Sequence, residues 1–552
     1  MKKRLNFKVK RWLDILVVGL VSFFVYLPAL GFQFVWDDIN LIVYNQQSPL
    51  SAFGQSFWAG SAEHLGSDPY YRPLSNFSLR LDRLIAGSNP WFFHLGNILL
   101  HSVVTILFAI LIFKITGSWK CAHFAGLVLA LHPLVADCVG YVSGRTDLLA
   151  GLGLLVASLG LADYLKKGGR VNIILIWAGF AVGVLSKEST LPFMLVVPVW
   201  LLLNGNVKRR WQEGLTVLAG MVVIGAGYLF ARFQVLGGLV GMKVIDKLLP
   251  LLLTALNSFG YQLSLFFFPF NRQIFHWYSG EFFRLKGWGV IGIIYLFLPL
   301  LLVRVRQRSY LVLGWFWSVV FSLPVAVLAV FGPSGRLLYL PGMGILLMVA
   351  VMARLFVTRP IEKRIIGMVA VCLCVLLVPF LWRRLGVWQN EERLFSRMVA
   401  EAPDYAPGYY NLGSVLLKKG DETRAVVQYR KAVALDSGLS LAGFNLAAIL
   451  QRRGEYDEAE LLLRRVIRDK PDFAQAYANL ALIMLNKGDL ALALELQKKG
   501  CELAPNDPNL FYNLALLFRR QGELDSARMA VRRAIKLAPE NSRFQSLLNK
   551  LQ

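Results

Sequence analysis

The chain has 552 residues, 56% of them hydrophobic and 17% charged, with mean hydropathy +0.52 and a formal net charge of +25. Soluble domains carry about 25% charged residues, so the composition excludes a wholly soluble chain. Nucleic-acid binding is not indicated either. Residues 1–386 hold 35 Lys and Arg against 14 Asp and Glu, residues 387–552 hold 24 against 20, and the excess cations stand in short loops between apolar runs, as the positive-inside rule requires.

In chain order, the basic stretch Met1–Arg11 leads into an apolar run from Ile15 with no small-residue cleavage site before Phe34. It reads as a retained signal-anchor. Apolar segments near the length needed to span a bilayer core, about 20 residues, are predicted at 12–30, 92–113, 121–135, 148–165, 172–186, 190–204, 213–231, 288–303, 310–331, 337–355 and 365–381. With the N-terminus inside, Lys114/Lys120, Lys166/Lys167/Arg170, Lys208/Arg209/Arg210, Arg304/Arg306/Arg308 and Arg359/Lys363/Arg364 all fall inside. Residues 248–269 are apolar too, but a crossing there would break that agreement. A re-entrant or interfacial segment is expected, backbone that is tolerated where protein covers it. Eleven crossings put the loop 31–91 and everything after 386 outside, along with ten of the 14 carboxylates of the membrane part. The five cysteines form no CxxC pair and no metal-ligand spacing, and read as small buried hydrophobes.

Residues 404–540 repeat. Leu412, Leu446, Leu480 and Leu514 stand 34 residues apart, as do Gly420, Gly454, Gly488 and Gly522, and Ala425, Ala459, Ala493 and Ala527. Pro471, Pro505 and Pro539 close three units, and Pro403 a partial one before them. This is the tetratricopeptide (TPR) signature. Four full repeats are expected, with half-repeats at about 388–402 and 540–551. Such arrays offer a groove to peptides or proteins, and oligomerisation or scaffolding is the plainer use.

The polar residues of the membrane part gather at one face. Asp37-Asp38 follows the first span, and adjacent carboxylates beside a membrane are costly unless solvated or used. Arg72 stands in Tyr70–Leu74. His94, Asn97 and His101 share one helix face at i, i+3 and i+7. His132-Pro133 leads to Asp137 and then to Arg145-Thr146-Asp147, where Arg145 and Asp147 can pair with each other. Ser186-Lys187-Glu188 sits at a hairpin, and Gly332–Tyr339 brings Arg336 and Tyr339 to the start of a span. Arginine can clasp a phosphate with two hydrogen bonds, or simply extend to the interface. No His or Cys spacing holds a metal, and no glycine-rich phosphate loop or GxSxG is present.

The ordered set resembles the transmembrane-and-TPR O-mannosyltransferases, related to the protein O-mannosyltransferases of the GT-C superfamily. It comprises Phe34–Asp38 with Asn45, Tyr71-Arg72-Pro73-Leu74, Asn89-Pro90 with Phe93–Asn97 and His101, Leu131-His132-Pro133 with Gly144–Leu149, Ser186-Lys187-Glu188 and Arg336–Pro341, with the repeats following. Gly335 stands where the family often has an acidic residue, and Asp137 where Glu is common. The resemblance implies an all-α, GT-C-like membrane bundle of about eleven helices followed by a soluble TPR solenoid. It implies an inverting hexosyltransferase that moves one sugar, mannose, from a polyprenyl-phosphate carrier to Ser or Thr hydroxyls of a protein on the outer side. Asp37 maps as the base and Asp38 as its partner in hydrogen bonding or acceptor positioning. Arg336 is the first candidate for the donor phosphate, followed by Arg145 and Lys187, with Arg72, His94, His132, Glu188 and Tyr339 as substrate-binding or structural residues around them. The expected partners are the lipid-linked donor and an acceptor polypeptide held by the TPR groove, with no nucleic acid. No cofactor is implied, and nothing in the sequence supports a divalent metal. Compact size and short outer loops favour a bacterial inner membrane with a periplasmic TPR domain over an ER membrane with a lumenal one. A lipid-linked oligosaccharide transferase or ligase, or a non-catalytic membrane scaffold, stays open as an alternative.

Overall fold

The computed structural model describes residues 2–44, 71–203, 207–236, 248–270, 286–301, 308–327, 335–356 and 359–551. Among them every regular element is helical. Asn45, Tyr70, Arg304, Arg306 and Gly332–Ser334, all singled out in the sequence, lie outside the described residues. Two compact units are present, Met1–Leu394 and Phe395–Gln552.

In the first unit the longer helices are α1 (Lys2–Val25), α2 (Pro73–Ala86), α3 (Pro90–Thr116), α4 (Trp119–Leu131), α5 (Arg145–Lys167), α6 (Arg170–Ser186), α7 (Phe193–Leu203), α8 (Val207–Leu236), α9 (Leu248–Phe267), α10 (Gly287–Leu296), α11 (Arg308–Val327), α12 (Tyr339–Phe356) and α13 (Pro360–Leu385). The expectation of eleven crossings is met in part. Among the described residues six stretches are long and apolar enough to span: Asp14–Gly31, Pro90–Thr116, Val142–Lys167, Gly214–Leu236, Gly335–Leu355 and Gly367–Gln389. A seventh is α4 with Pro133–Val139, bent by 50°. Arg170–Ser186, Glu188–Leu203, Gly287–Leu300 and Ser309–Pro324 are apolar but shorter. Hydropathy counts apolar residues whether or not the helix continues through them. At His132-Pro133 it does not, because proline lacks the N–H that would extend the ladder and His132 Nδ1 accepts the Leu134 amide as a cap, at 3.4 Å. Residues 248–267 form one unbroken helix, α9.

Helix α3 lies at the centre, packed on α1, α4 and α5, while α12 joins α4 to α11 and α13 closes over the turn at 133–139. The polar stripe of α3 faces inward, with His94, Asn97 and His101 fully buried. Intramembrane polar groups take this side because the lipid face offers them no partner.

The second unit contains the helix pairs α15/α16 (Ala406–Lys418, Glu422–Leu435), α17/α18 (Ser440–Arg452, Tyr456–Asp469), α19/α20 (Ala474–Asn486, Leu490–Leu503) and α21/α22 (Pro508–Gln521, Leu524–Leu537). Before them α14 (Glu391–Glu401) begins in the first unit, and α23 (Ser542–Asn549) follows them. Gly420, Gly454, Gly488 and Gly522 have φ of +83°, +81°, +91° and +90°, the left-handed cap that glycine enters without penalty. Ala425, Ala459, Ala493 and Ala527 are wholly buried between paired helices.

Candidate active site

The site begins with a strained turn. Trp36 has φ +55°, a conformation that costs a non-glycine residue about 1 kcal/mol or more and persists only where its surroundings enforce it. The enforcement comes from Asp38, which has no exposed surface. Its Oδ1 accepts the Ser143 amide at 2.8 Å and the Ser143 hydroxyl at 2.6 Å. Its Oδ2 accepts the Val35 amide across the turn at 3.3 Å. Burial raises the Asp38 carboxyl to about 7, against the opposing pull of these hydrogen bonds. Asp38 therefore anchors the loop to the 142–144 turn.

The turn leaves Asp37 partly exposed, its Oδ2 accepting the Tyr141 hydroxyl at 2.8 Å. Burial, reinforced by the charges of Asp37 and Asp38, pushes the Tyr141 phenol well above its ordinary value, so it stays protonated and donates. The Arg336 guanidinium lies 5.5 Å from the centroid of the same ring. Asp147, Arg72 and Asp37 are within electrostatic reach of Arg336, yet it forms no ion pair with any described residue. Tyr141 also stacks on Trp388, with centroids 4.9 Å apart.

The other charges are matched within the protein. Arg72 clasps Glu188 through Nε at 3.2 Å and Nη2 at 2.9 Å. Lys187 meets Asp147 at 2.5 Å. Arg145, 2% exposed, binds Asp82 at 2.5 Å, Asn97 Oδ1 at 2.8 Å and the Phe93 carbonyl at 2.8 Å. Its donors are consumed by the fold, which removes it from the phosphate-binding candidates, and Arg145 and Asp147 do not pair with each other. Lys187 keeps spare donors and lies within electrostatic reach of Arg336 and Arg72.

His132 is structural. Its Nε2 donates to the Phe266 carbonyl at 3.0 Å, the tautomer set by Nδ1 accepting the Leu134 amide. His94 is enclosed, its ring edge-on to Phe32. Tyr339 bonds His101 Nδ1 at 3.0 Å. Sequence reasoning missed Tyr141, which lies just before the Gly144–Leu149 motif, as well as Asp82, Arg384 and Trp388. Asp137 accepts Arg384 Nε at 2.8 Å and Nη2 at 2.6 Å, and Trp388 Nε1 at 3.0 Å. A side-chain carbon at 335 would stand 2.7 Å from both Arg384 Nη2 and Asp137 Oδ2, which accounts for Gly335. An apolar crevice lined by Leu129, His132, Phe266, Leu338, Tyr339 and Leu346 runs beside Gly335. Among the described residues no three His, Cys, Asp or Glu side chains converge as metal ligands would.

Comparison with known proteins agrees with this layout. The family model described as dolichyl-phosphate-mannose-protein mannosyltransferase matches residues 68–227, and tetratricopeptide models match 406–438, 444–508 and 508–541. Protein O-mannosyl-transferase TMTC4 of Mus musculus is 28% identical over 492 residues, 75% of this chain and 65% of its own length. Protein O-mannosyl-transferase tmtc2 of Xenopus laevis is 32% identical over 239 residues, 39% of this chain and 29% of its own. The crystal structure of MamA is 21% identical over 28% of this chain and 89% of that one, with a TM-score of 0.26. This chain thus combines a match to the mannosyltransferase family in its membrane part with tetratricopeptide repeats, and is similar to protein O-mannosyltransferases over three quarters of its length while spanning about two thirds of theirs.

Proposed function

We propose that the protein transfers one sugar, mannose, from a polyprenyl-phosphate carrier to a Ser or Thr hydroxyl of a polypeptide on the outer, periplasmic or lumenal, side of the membrane. One observation carries the reading. Among the described acidic groups of this face, Asp37 alone is both accessible and free of a cationic partner, and Arg336, which forms no ion pair with a described residue, lies against the tyrosine that holds Asp37. A base must be unneutralised to take a proton, and a phosphate-binding cation must be unspent.

In this reading Asp37 removes the acceptor hydroxyl proton while the oxygen attacks the anomeric carbon from the side opposite the phosphate. The sugar–phosphate bond breaks with its electron pair going to the phosphate oxygen, and Arg336, aided by Lys187, stabilises that charge. The sugar leaves with inverted configuration. An interfacial position for α9, whose Phe266 lines the crevice beside Gly335, would give the carrier a lateral way in. The TPR groove would hold the acceptor.

The test is incorporation of radiolabelled mannose from polyprenyl-phosphate-mannose into protein by membranes bearing wild type, Asp37→Asn or Arg336→Ala. Label with wild type and near-background label with both variants is expected. Equal label with Asp37→Asn would remove it as base. Absence of label with wild type, and with glucose and galactosamine carriers as well, would leave the scaffold reading.

A further inference from the structure

We infer that the tetratricopeptide unit binds the surface of an anionic lipid bilayer through a strip along its second helices, where exposed aliphatic side chains alternate with lysine and arginine. Val427, Leu461 and Met529 are 59%, 64% and 69% exposed, more than any other large hydrophobic side chain described in this unit. They occupy one position of the 34-residue repeat, which Glu495 fills in the remaining unit. That position lies in α16, α18, α20 and α22, the second helix of each pair. Single exposed apolar residues need no explanation, whereas a row of them marks an interaction surface.

Three and four residues further on, one turn away on the same helix face, all four repeats carry Lys or Arg at both positions. Three of these cations are spent within the unit: Arg430 meets Glu458 at 2.8 Å, Arg464 meets Glu460 at 2.7 Å and Lys499 meets Glu502 at 3.1 Å. Lys431, Arg465 and Arg532 form no ion pair with any described residue. Lys498 and Arg533 lie over the rings of Phe518 and Phe511, and Arg533 also reaches the Pro505 carbonyl at 3.4 Å. These last five keep their charge unmatched by a carboxylate. The Arg430–Glu458 pair joins α16 to α18, and the Arg533–Pro505 contact joins α22 to the turn after α20, so neighbouring second helices adjoin. A cation near a helix C-terminus also answers the macrodipole. That accounts for the charge and not for the aliphatic side chain one turn before it.

Aliphatic side chains interleaved with cations at helical spacing are what an interfacial helix offers a bilayer. Valine, leucine and methionine enter the boundary between headgroups and acyl chains, while the long stems of Lys and Arg carry their charges out to the lipid phosphates. A nucleic acid would call for aromatic rings on which bases stack, and the exposed row has none. The chain itself brings the bilayer close. The stretch Gly367–Gln389 is long and apolar enough to span, and the repeat unit begins at Phe395, so this unit is tethered within a few residues of a membrane surface. The inference does not depend on sugar transfer, and its test uses no sugar donor.

The experiment uses full-length protein in which Cys372 and Cys374, the cysteines that are not buried, are replaced by serine. A bimane label is placed at Leu461→Cys or, as control, at Leu482→Cys, an exposed position of the first helix α19. The protein is reconstituted in vesicles of phosphatidylcholine and phosphatidylglycerol that contain nitroxide-bearing lipid. The label at 461 should be quenched severalfold more than the label at 482. Phosphatidylcholine alone, or high salt, which screens charge, should remove the difference. Each Lys or Arg near an anionic surface changes partitioning about fivefold, so Lys431→Gln, Arg465→Gln and Arg532→Gln together should remove it too, with the unfolding temperature unchanged. Equal quenching at the two sites, or a difference that persists in phosphatidylcholine or in the triple variant, would overturn the proposal. So would heparin binding that survives Val427→Ser and Met529→Ser with no quenching at 461, which would assign the strip to an acidic macromolecule.

Discussion

Tyr141 donates its hydroxyl to Asp37 at 2.8 Å across 104 residues of sequence, and the face of its ring receives Arg336. One side chain thus holds the proposed base and the proposed phosphate ligand at a fixed separation. Its own place is set by stacking on Trp388, which in turn donates to Asp137.

The two functions of Tyr141 should separate. Tyr141→Phe keeps the ring and loses the hydroxyl. A hydrogen bond to a charged group contributes about 1.5–3 kcal/mol, so transfer should fall roughly tenfold or more in kcat with the KM for lipid donor unchanged. Tyr141→Leu removes the ring as well and should also raise that KM severalfold, since a cation over an aromatic face gains about 0.5–2 kcal/mol. Steady-state kinetics on purified protein decides, and a KM rise in Tyr141→Phe would contradict this division.

Asp37 and Asp38 should behave differently despite adjacency. Asp37→Asn is expected to lower transfer by about 10²–10⁴, the range for a lost general base, without altering protein level. Asp38→Asn should retain part of the activity, because an amide oxygen can still accept from Ser143. Asp38→Ala should lose both activity and thermal stability as the strained turn at Trp36 relaxes. Label transfer and unfolding temperature, measured on the same preparations, test this.

Asp38 also carries a pH signature. Its folded value, about 7, lies above the unfolded value of about 3.9. Its contribution is therefore fully present below about pH 4 and is lost as pH rises through about 7. Asp38→Asn cannot ionise, so its unfolding temperature relative to wild type should improve between about pH 4 and pH 7 and level off above. A constant difference across that window would show that Asp38 is not buried as a titrating group.

Arg145 and Arg336 make a second contrast. Arg145→Ala strands Asp82, and breaking a buried pair costs about 3–5 kcal/mol, so the protein should be poorly produced or unfold at markedly lower temperature. Arg384→Ala should do the same through Asp137, which it clasps with two bonds. Arg336→Ala should fold normally and fail to bind polyprenyl phosphate. Expression, thermal unfolding and lipid binding distinguish the three, and a stable, active Arg145→Ala would return Arg145 to the phosphate-binding candidates.

Much of this was legible in one dimension. The period of 34 residues and its Gly, Ala and Leu positions determine the repeat unit, because each position answers a local demand: a left-handed cap, a close helix contact, a buried contact. Hydropathy marked where apolar helices lie, and the i, i+3, i+7 stripe of His94, Asn97 and His101 announced an inward face. Long-range pairing was not legible. Which cation meets which carboxylate depends on helix packing, so Arg145 went to Asp82 and Asp147 to Lys187 rather than to each other. The bend of 50° at His132-Pro133 was also decided in three dimensions, since hydropathy does not register a break within an apolar run. Above all, the difference between Asp37 and Asp38 came from tertiary structure. Two identical side chains, neighbours in sequence, take different partners, Tyr141 and Ser143, and burial encloses Asp38 while Asp37 stays partly exposed.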